Sequence, residues 1–96
     1  MPLSFEWDRR KGSANLAKHG VTFEEVTTVF ADPLAVIFDD EEHSKDELRE
    51  IIIGHSIPGR LLLVALTERD GNVIRIMSAR KATPRERKDH EEGTRK

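Results

Sequence analysis

Lys18 and His19 stand directly before Gly20 in the stretch NLAKHGVTFEEV, residues 15–26. Cations at a helix C-terminus interact favourably with the macrodipole, so capping alone accounts for the pair. A second helix, however, opens at Thr22 and points its N-terminal amides at the same corner, and helix N-termini bind anions. A lysine, an imidazole of the type that changes charge near neutral pH, and free amides together suit a phosphate. Both readings stand on these residues alone.

Other charged residues extend the theme. Arg9, Arg10 and Lys11 crowd the first turn of the first helix, where the macrodipole disfavours positive charge, so something other than helix stability wants them there. Glu47 and Arg49 are two residues apart and share a face if their strand begins early. Such a pair is either a surface salt bridge of small value or the base and phosphate clamp of a metal-free phosphodiesterase. Arg75 and Arg80 have an odd separation, which sends them to opposite faces of a regular strand; only a bulge or the strand end converges them. Arg80 directly precedes a capped helix carrying Arg85 and Arg87.

Several chemistries find no support. There is no cysteine, hence no disulfide, thiolate zinc site or thiol nucleophile. His19, His43, His55 and His90 share no metal-ligand spacing, so no metal site is expected. GHSIPG has its second glycine one residue late for a nucleophile elbow and lies between strands, so it reads as a turn. No Walker loop and no G-x-G-x-x-G is present, and no cofactor is expected.

The elements that must position these residues follow from pattern. LSFEW alternates, with Leu3, Phe5 and Trp7 on one side, and reads as a short strand. Trp7 is assigned to the core rather than to base stacking. Asp8 caps a helix over 9–19, and Gly20 suits the left-handed residue that ends it. Thr22 and Glu25 have capping-box spacing, with Val21 and Val26 as the staple, so a second helix is predicted over 23–31, ended by Asp32-Pro33. A strand at 35–38 precedes the acidic loop DDEEHSKDE. LREIIIGHS and RLLLVALTER are strands joined by the SIPG turn, and Asp70-Gly71 predicts a two-residue hairpin to NVIRIMSAR. Thr83, Pro84 and Glu86 start a C-terminal helix that is almost wholly charged, hence solvent-facing, partner-dependent or frayed. The predicted fold is α+β: an antiparallel sheet of four to five strands packed against two N-terminal helices, with a C-terminal helix.

Ninety-six residues make a single domain, 1–96, that buries about two-thirds of its unfolded surface, with the last few residues frayed. MPLSFEWDRRKG has neither an apolar run nor a small-residue cleavage site, and the longest apolar run, 61–66, is too short to span a bilayer. A soluble protein of the reducing cytoplasm is expected. The net charge of −2 conceals segregation: residues 1–20 carry four basic and two acidic side chains, 21–74 four and twelve, 75–96 eight and four. Two basic ends folded onto one surface favour a polyanion.

Taken together, FEWD, KHGVTFEEV, VFADP, HSKDELR, RLLLVALTE and IRIMSARKATPRER resemble the BrnT family of type II toxin–antitoxin toxins over nearly the whole chain, from Phe5 to about Glu91. The resemblance implies a RelE-like fold and metal-independent endoribonuclease activity that inhibits translation. It also implies neutralisation by a BrnA-like antitoxin, contact with operator DNA only through that antitoxin, and a homodimer or a heterotetramer with it. Motif matching singles out Lys18, His19, His43, Glu47, Arg49, Arg80, Glu86 and Arg87. The expected catalytic set is Lys18, His19, Glu47, Arg49 and Arg80, with RNA held by Arg9, Arg10, Lys11, His43, Arg75, Arg85 and Arg87. A ribose 2′-hydroxyl would attack the adjacent phosphate, with His19 or Glu47 as base and Lys18, Arg49 and Arg80 stabilising charge. The chain departs from the family at His90, where an aromatic is usual, and at Met77, where isoleucine is commoner. A non-catalytic nucleic-acid-binding module and a partner-dependent regulatory module are the alternatives.

Overall fold

A computed structural model of the chain describes residues 3–43 and 47–94. The middle of the acidic loop, 44–46, and the C-terminal tail expected to fray, 95–96, lie outside the described residues.

Helix α1 (Arg9–His19) has the predicted bounds because both ends are written in side chains. Asp8 is extended, and its Oδ1 accepts the N–H groups of Arg10 at 2.8 Å and Lys11 at 3.2 Å. Gly20 takes φ +69°, a conformation that other residues rarely adopt, and donates its N–H to Leu16 O. Helix α2 (Phe23–Val29) is capped by Thr22, whose Oγ1 accepts Glu25 N–H at 3.1 Å. Only half of the expected capping box forms, because the Glu25 carboxylate turns to Arg60 and Ser56 instead. The helix also stops two residues early. Phe30, Ala31 and Asp32 each donate to the carbonyl three residues back, a tightened last turn that ends before Pro33.

Five strands, β1 (Ser4–Glu6), β2 (Val36–Asp39), β3 (Glu50–His55), β4 (Leu61–Arg69) and β5 (Val73–Lys81), form one sheet in the order β1-β5-β4-β3-β2. The last four make the predicted antiparallel meander. β1 joins the free edge of β5 in parallel, so the sheet is mixed rather than antiparallel throughout. Parallel pairing needs a long connection, and here the helices and the whole meander supply it. The β4–β5 connection is three residues, 70–72, instead of two, with Gly71 at φ +71°. The β4–β5 register shifts between Ala65 and Leu66, opposite Ser78 and Ile76, so Met77 is the extra residue of a bulge.

The core fills the face of the sheet beneath the two helices: Val21, Phe23, Val26 and Val29 pack on Ile52, Leu62, Val64, Leu66, Ile74, Ile76 and Ala79. Each valine, leucine, isoleucine or phenylalanine among them, fully buried, contributes about 1.5–3 kcal/mol. Phe5 lies on Phe30 at 5.1 Å between centroids, and Trp7 meets Phe23 edge-on at 5.9 Å against this core. One polar group is built in. Asn15 is buried; its Nδ2 donates to Val21 O and its Oδ1 accepts Ala79 N–H, both at 3.0 Å.

The opposite face is covered only in part, by helix α3 (Pro84–Thr94). The charge of α3 predicts a solvent-facing helix, yet His90 is buried, 6.0 Å from the His55 ring. An imidazole supplies the contact that the pattern of apolar residues does not reveal.

Candidate active site

The bulge at Met77 decides where the arginines point. Ile74, Ile76 and Ala79 face the core, so Arg75 before the bulge and Arg80 after it both face away from the helical layer. Their odd separation is absorbed by the extra residue. Arg75 sits opposite Thr67, and Arg80 opposite Leu63, four β4 residues and hence about 13 Å apart along the strand. Arg49 precedes β3, its carbonyl accepting Asp40 N–H, and alternation from Glu50 brings it to the same outer face beside Thr67. Thr67 is buried there, and its Oγ1 has no hydrogen-bond partner among the described residues.

Arg80 is held rigidly. Its Nη1 and Nη2 donate to Glu86 Oε1 and Oε2 at 2.8 and 2.9 Å, a two-pronged fork. Glu86 also closes a complete capping box: Thr83 N–H donates to Oε1 at 2.8 Å, and Glu86 N–H to Thr83 Oγ1 at 3.1 Å. Hydrogen bonding from Arg80 is the main reason that the Glu86 carboxyl is held down to about 2, and the same bond raises the pKa of Arg80. The start of α3 and the end of β5 are thus fixed to one another through the guanidinium. Sequence spacing reveals Glu86 as a cap; it gives no sign of the second grip on Arg80.

At the other end of the face Arg75 donates to Glu6 at 2.7 Å, and Glu47 lies 3.7 Å from Arg69. β3 begins at Glu50, too late to set Glu47 and Arg49 side by side on a strand. Arg85 and Arg87 are exposed on the first turns of α3, and His43, ending a 3₁₀ turn at Glu41–His43, sets Nδ1 3.0 Å from the Asp40 carboxylate.

Lys18 and His19 belong to the helical layer, not to this face. Neither side chain makes a hydrogen bond or ion pair among the described residues. The corner beside them is organised by Arg60, which donates to Glu25 through Nε at 2.9 Å and through Nη2, and to Gly20 O at 3.1 Å. Those bonds hold the Glu25 carboxyl below its ordinary value. Arg9, Arg10 and Lys11 are exposed on the first turn of α1 in the same layer. Of the predicted site residues, Arg49, Arg75 and Arg80 share the outer sheet face, Lys18, His19 and the 9–11 cluster lie with the helices, and His43 and Glu47 stand before β3 and Arg85 and Arg87 on α3. Glu6 and Thr67 are hidden in the sequence because each depends on strand register, and the grip of Glu86 on Arg80 because it depends on the angle at which α3 leaves β5.

The comparisons with known proteins agree with this architecture. No curated protein matches the chain in sequence. The crystal structure of the Brucella abortus ribonuclease toxin BrnT, at 1.1 Å resolution, is similar with a TM-score of 0.66 and 23% identity, over 85% of this chain and 99% of that one. The family model for the ribonuclease toxin BrnT of type II toxin–antitoxin systems matches residues 7–86. With most of its length inside that match, the chain belongs to the BrnT family of ribonuclease toxins.

Proposed function

We propose that the chain cleaves single-stranded RNA without a metal ion, on the outer face of the sheet, and thereby inhibits translation in the cytoplasm. The observation that carries this reading is the convergence of Arg75 and Arg80 on one face through the Met77 bulge, with Arg49 placed beside them by the alternation of β3. Arg75 and Arg80 stand at strand positions about 13 Å apart, a span of about two nucleotide steps, so they suit phosphates of one RNA strand laid across the sheet. Arg80, immobilised by Glu86, needs no reorganisation to hold charge as it develops on phosphoryl oxygens.

In the reaction a ribose 2′-oxygen forms a bond to the adjacent phosphorus and the bond from phosphorus to the 5′-oxygen breaks. This leaves a 2′,3′-cyclic phosphate and a 5′-hydroxyl. A base takes the 2′-proton, and a proton from water or an acid goes to the 5′-oxygen. Glu47 borders the arginine face through Arg69 and is the base that this geometry favours over His19 in the helical layer. Glu86 is a positioning residue, too strongly ionised by Arg80 to serve as a base near neutral pH. DNA lacks the 2′-hydroxyl and is inert. Neutralisation by a BrnA-like antitoxin, with operator contact made only through that protein, completes the reading.

The test is cleavage of a 5′-labelled mixed-sequence RNA in excess chelator, with a DNA control, by wild type, Arg80→Ala and the Lys18→Ala/His19→Ala double variant. Cyclic-phosphate ends from wild type and the double variant, with loss in Arg80→Ala, support the outer face. Loss only in the double variant moves the chemistry to the helix corner. Binding of RNA without cleavage by any protein overturns the ribonuclease reading in favour of a binding module.

A further inference from the structure

Beside α3 the outer face is apolar and, among the described residues, uncovered. Val36 and Phe38 of β2, Ile53 of β3 and Leu63 of β4 form the floor of a groove of about 390 Å³, and Glu86, Asp89 and His90 of α3 form its wall. Val36 and Phe38 are about half exposed, at 47% and 49%, an uneconomical state for two large side chains on adjoining positions of one face. His90, by contrast, is 7% exposed, and its Nε2 is buried with no hydrogen-bond partner among the described residues. β2 is also the last strand of the sheet, so its outer edge has no strand partner among the described residues.

We propose that this groove is the docking site of the antitoxin, and that it takes a protein segment presenting apolar side chains flanked by lysine or arginine. The inference rests on the toxin reading above. Charge selects the occupant. Asp89 stands on the wall, and β2 ends by leading directly into Asp40, Glu41 and Glu42. Phosphates would be repelled from that rim, which disfavours RNA, and a second copy related by a two-fold axis would bring the same acidic run twice into one interface. A segment with apolar anchors and basic flanks satisfies both the floor and the rim. Because Glu86 lines the groove and also grips Arg80, the docked segment lies against the arginine face and shuts RNA out directly.

The absence of cysteine makes the test clean. Single cysteines at Phe38→Cys and, on the exposed side of α1, Ser13→Cys are reacted with a maleimide dye. The reaction is run with and without the purified protein encoded by the reading frame adjacent to the toxin gene. Affinity for that protein is compared for wild type, Val36→Asp and Asp89→Lys, and RNA cleavage is followed in each. The expected result is at least tenfold slower labelling at position 38 in the complex, none at position 13, and at least tenfold weaker binding by both charged variants, with Val36→Asp still cutting RNA. Equal labelling at position 38, or unchanged affinity, overturns the docking site while leaving the ribonuclease reading intact. Protection at position 38 by toxin self-association, before any second protein is added, overturns it in favour of a second copy, and protection by RNA alone overturns it in favour of substrate. Protection by the adjacent protein with no RNA cleavage by any variant leaves the docking site standing and sinks the ribonuclease reading.

Discussion

Arg80 and Glu86 face each other across the junction of β5 and α3 with two parallel hydrogen bonds of 2.8 and 2.9 Å. A lysine at position 80 keeps the charge and loses the fork, since an ammonium cannot present two parallel donors to a carboxylate while also holding a phosphate. Arg80→Lys is expected to lower kcat at least tenfold, and Arg80→Ala about 100-fold, on the scale of removing one preorganised donor to a developing oxyanion. Glu86→Gln retains the cap on α3 in part but frees the guanidinium. It should lower kcat with little change in KM, whereas a merely structural role would lower Tm without touching that split. Steady-state kinetics on a short RNA, beside a thermal melt, separates the two.

Asn15 spans three parts of the fold: α1, the turn at Val21 and the β5 backbone at Ala79, the residue before Arg80. Asn15→Ala leaves a buried carbonyl and a buried N–H unpaired, at about 1–3 kcal/mol each. Tm is expected to fall by about 10 °C or more for a domain of this size, read by calorimetry. A melt unchanged within a degree or two would mean that water or a shifted backbone replaces both bonds.

What the sequence discloses and what it hides divides along the same line. Asp8 and Gly20 bound α1 correctly because caps are local chemistry; alternation marked β1, and apolar runs between turn signals marked the other four strands. Asn15 gave no signal, because an asparagine in a polar helix is buried only by a strand far along the chain. The bulge was legible as a condition, since an odd separation of Arg75 and Arg80 requires one to bring them together. Its position was not, because Met77 is as apolar as the residues around it. The parallel pairing of β1, like the docking of α3 through His90, depends on which edge or face remains open once everything else has packed.

Gly54 allows the end of α2 to approach β3 closely. A Cβ there would lie 2.8 Å from Ala35 Cβ and 3.1 Å from both Asp32 Oδ2 and Val29 Cγ1. None of the three can swing aside, since Asp32 Oδ2 accepts His55 N–H at 2.7 Å and Val29 is fully buried. Gly54→Ala is expected to destabilise the protein by about 1–3 kcal/mol through overpacking. In urea this appears as a lower midpoint with an unchanged m-value; a neutral result would show that the loop at Ala35 yields without cost.

Glu50 supplies an unusual pH dependence. A hydrogen bond between its carboxyl and that of Glu68, then burial and the nearby Glu68 and Asp39 charges, raise it from 4.5 to about 7. The folded chain therefore binds this proton more tightly than the unfolded chain does. Below about pH 4.5 both states hold it and nothing is lost. Between about 4.5 and 7 the unfolded state has released it and the folded state has not, so stability falls as pH rises, by about 1–3 kcal/mol in all. Glu86 works in the opposite sense: its carboxyl, lowered to about 2, adds stability above 4.5 that disappears as pH falls toward 2. Taken by themselves, these two carboxyls favour a mildly acidic pH, about 5, over neutrality. Glu50→Gln keeps a hydrogen-bond donor toward Glu68 and removes the titrating proton. Urea midpoints should therefore fall between about pH 5 and 7 in wild type and stay nearly level over that range in the variant. Parallel profiles for the two proteins would mean that Glu50 ionises at its ordinary pH and that Glu50 and Glu68 are separated by solvent.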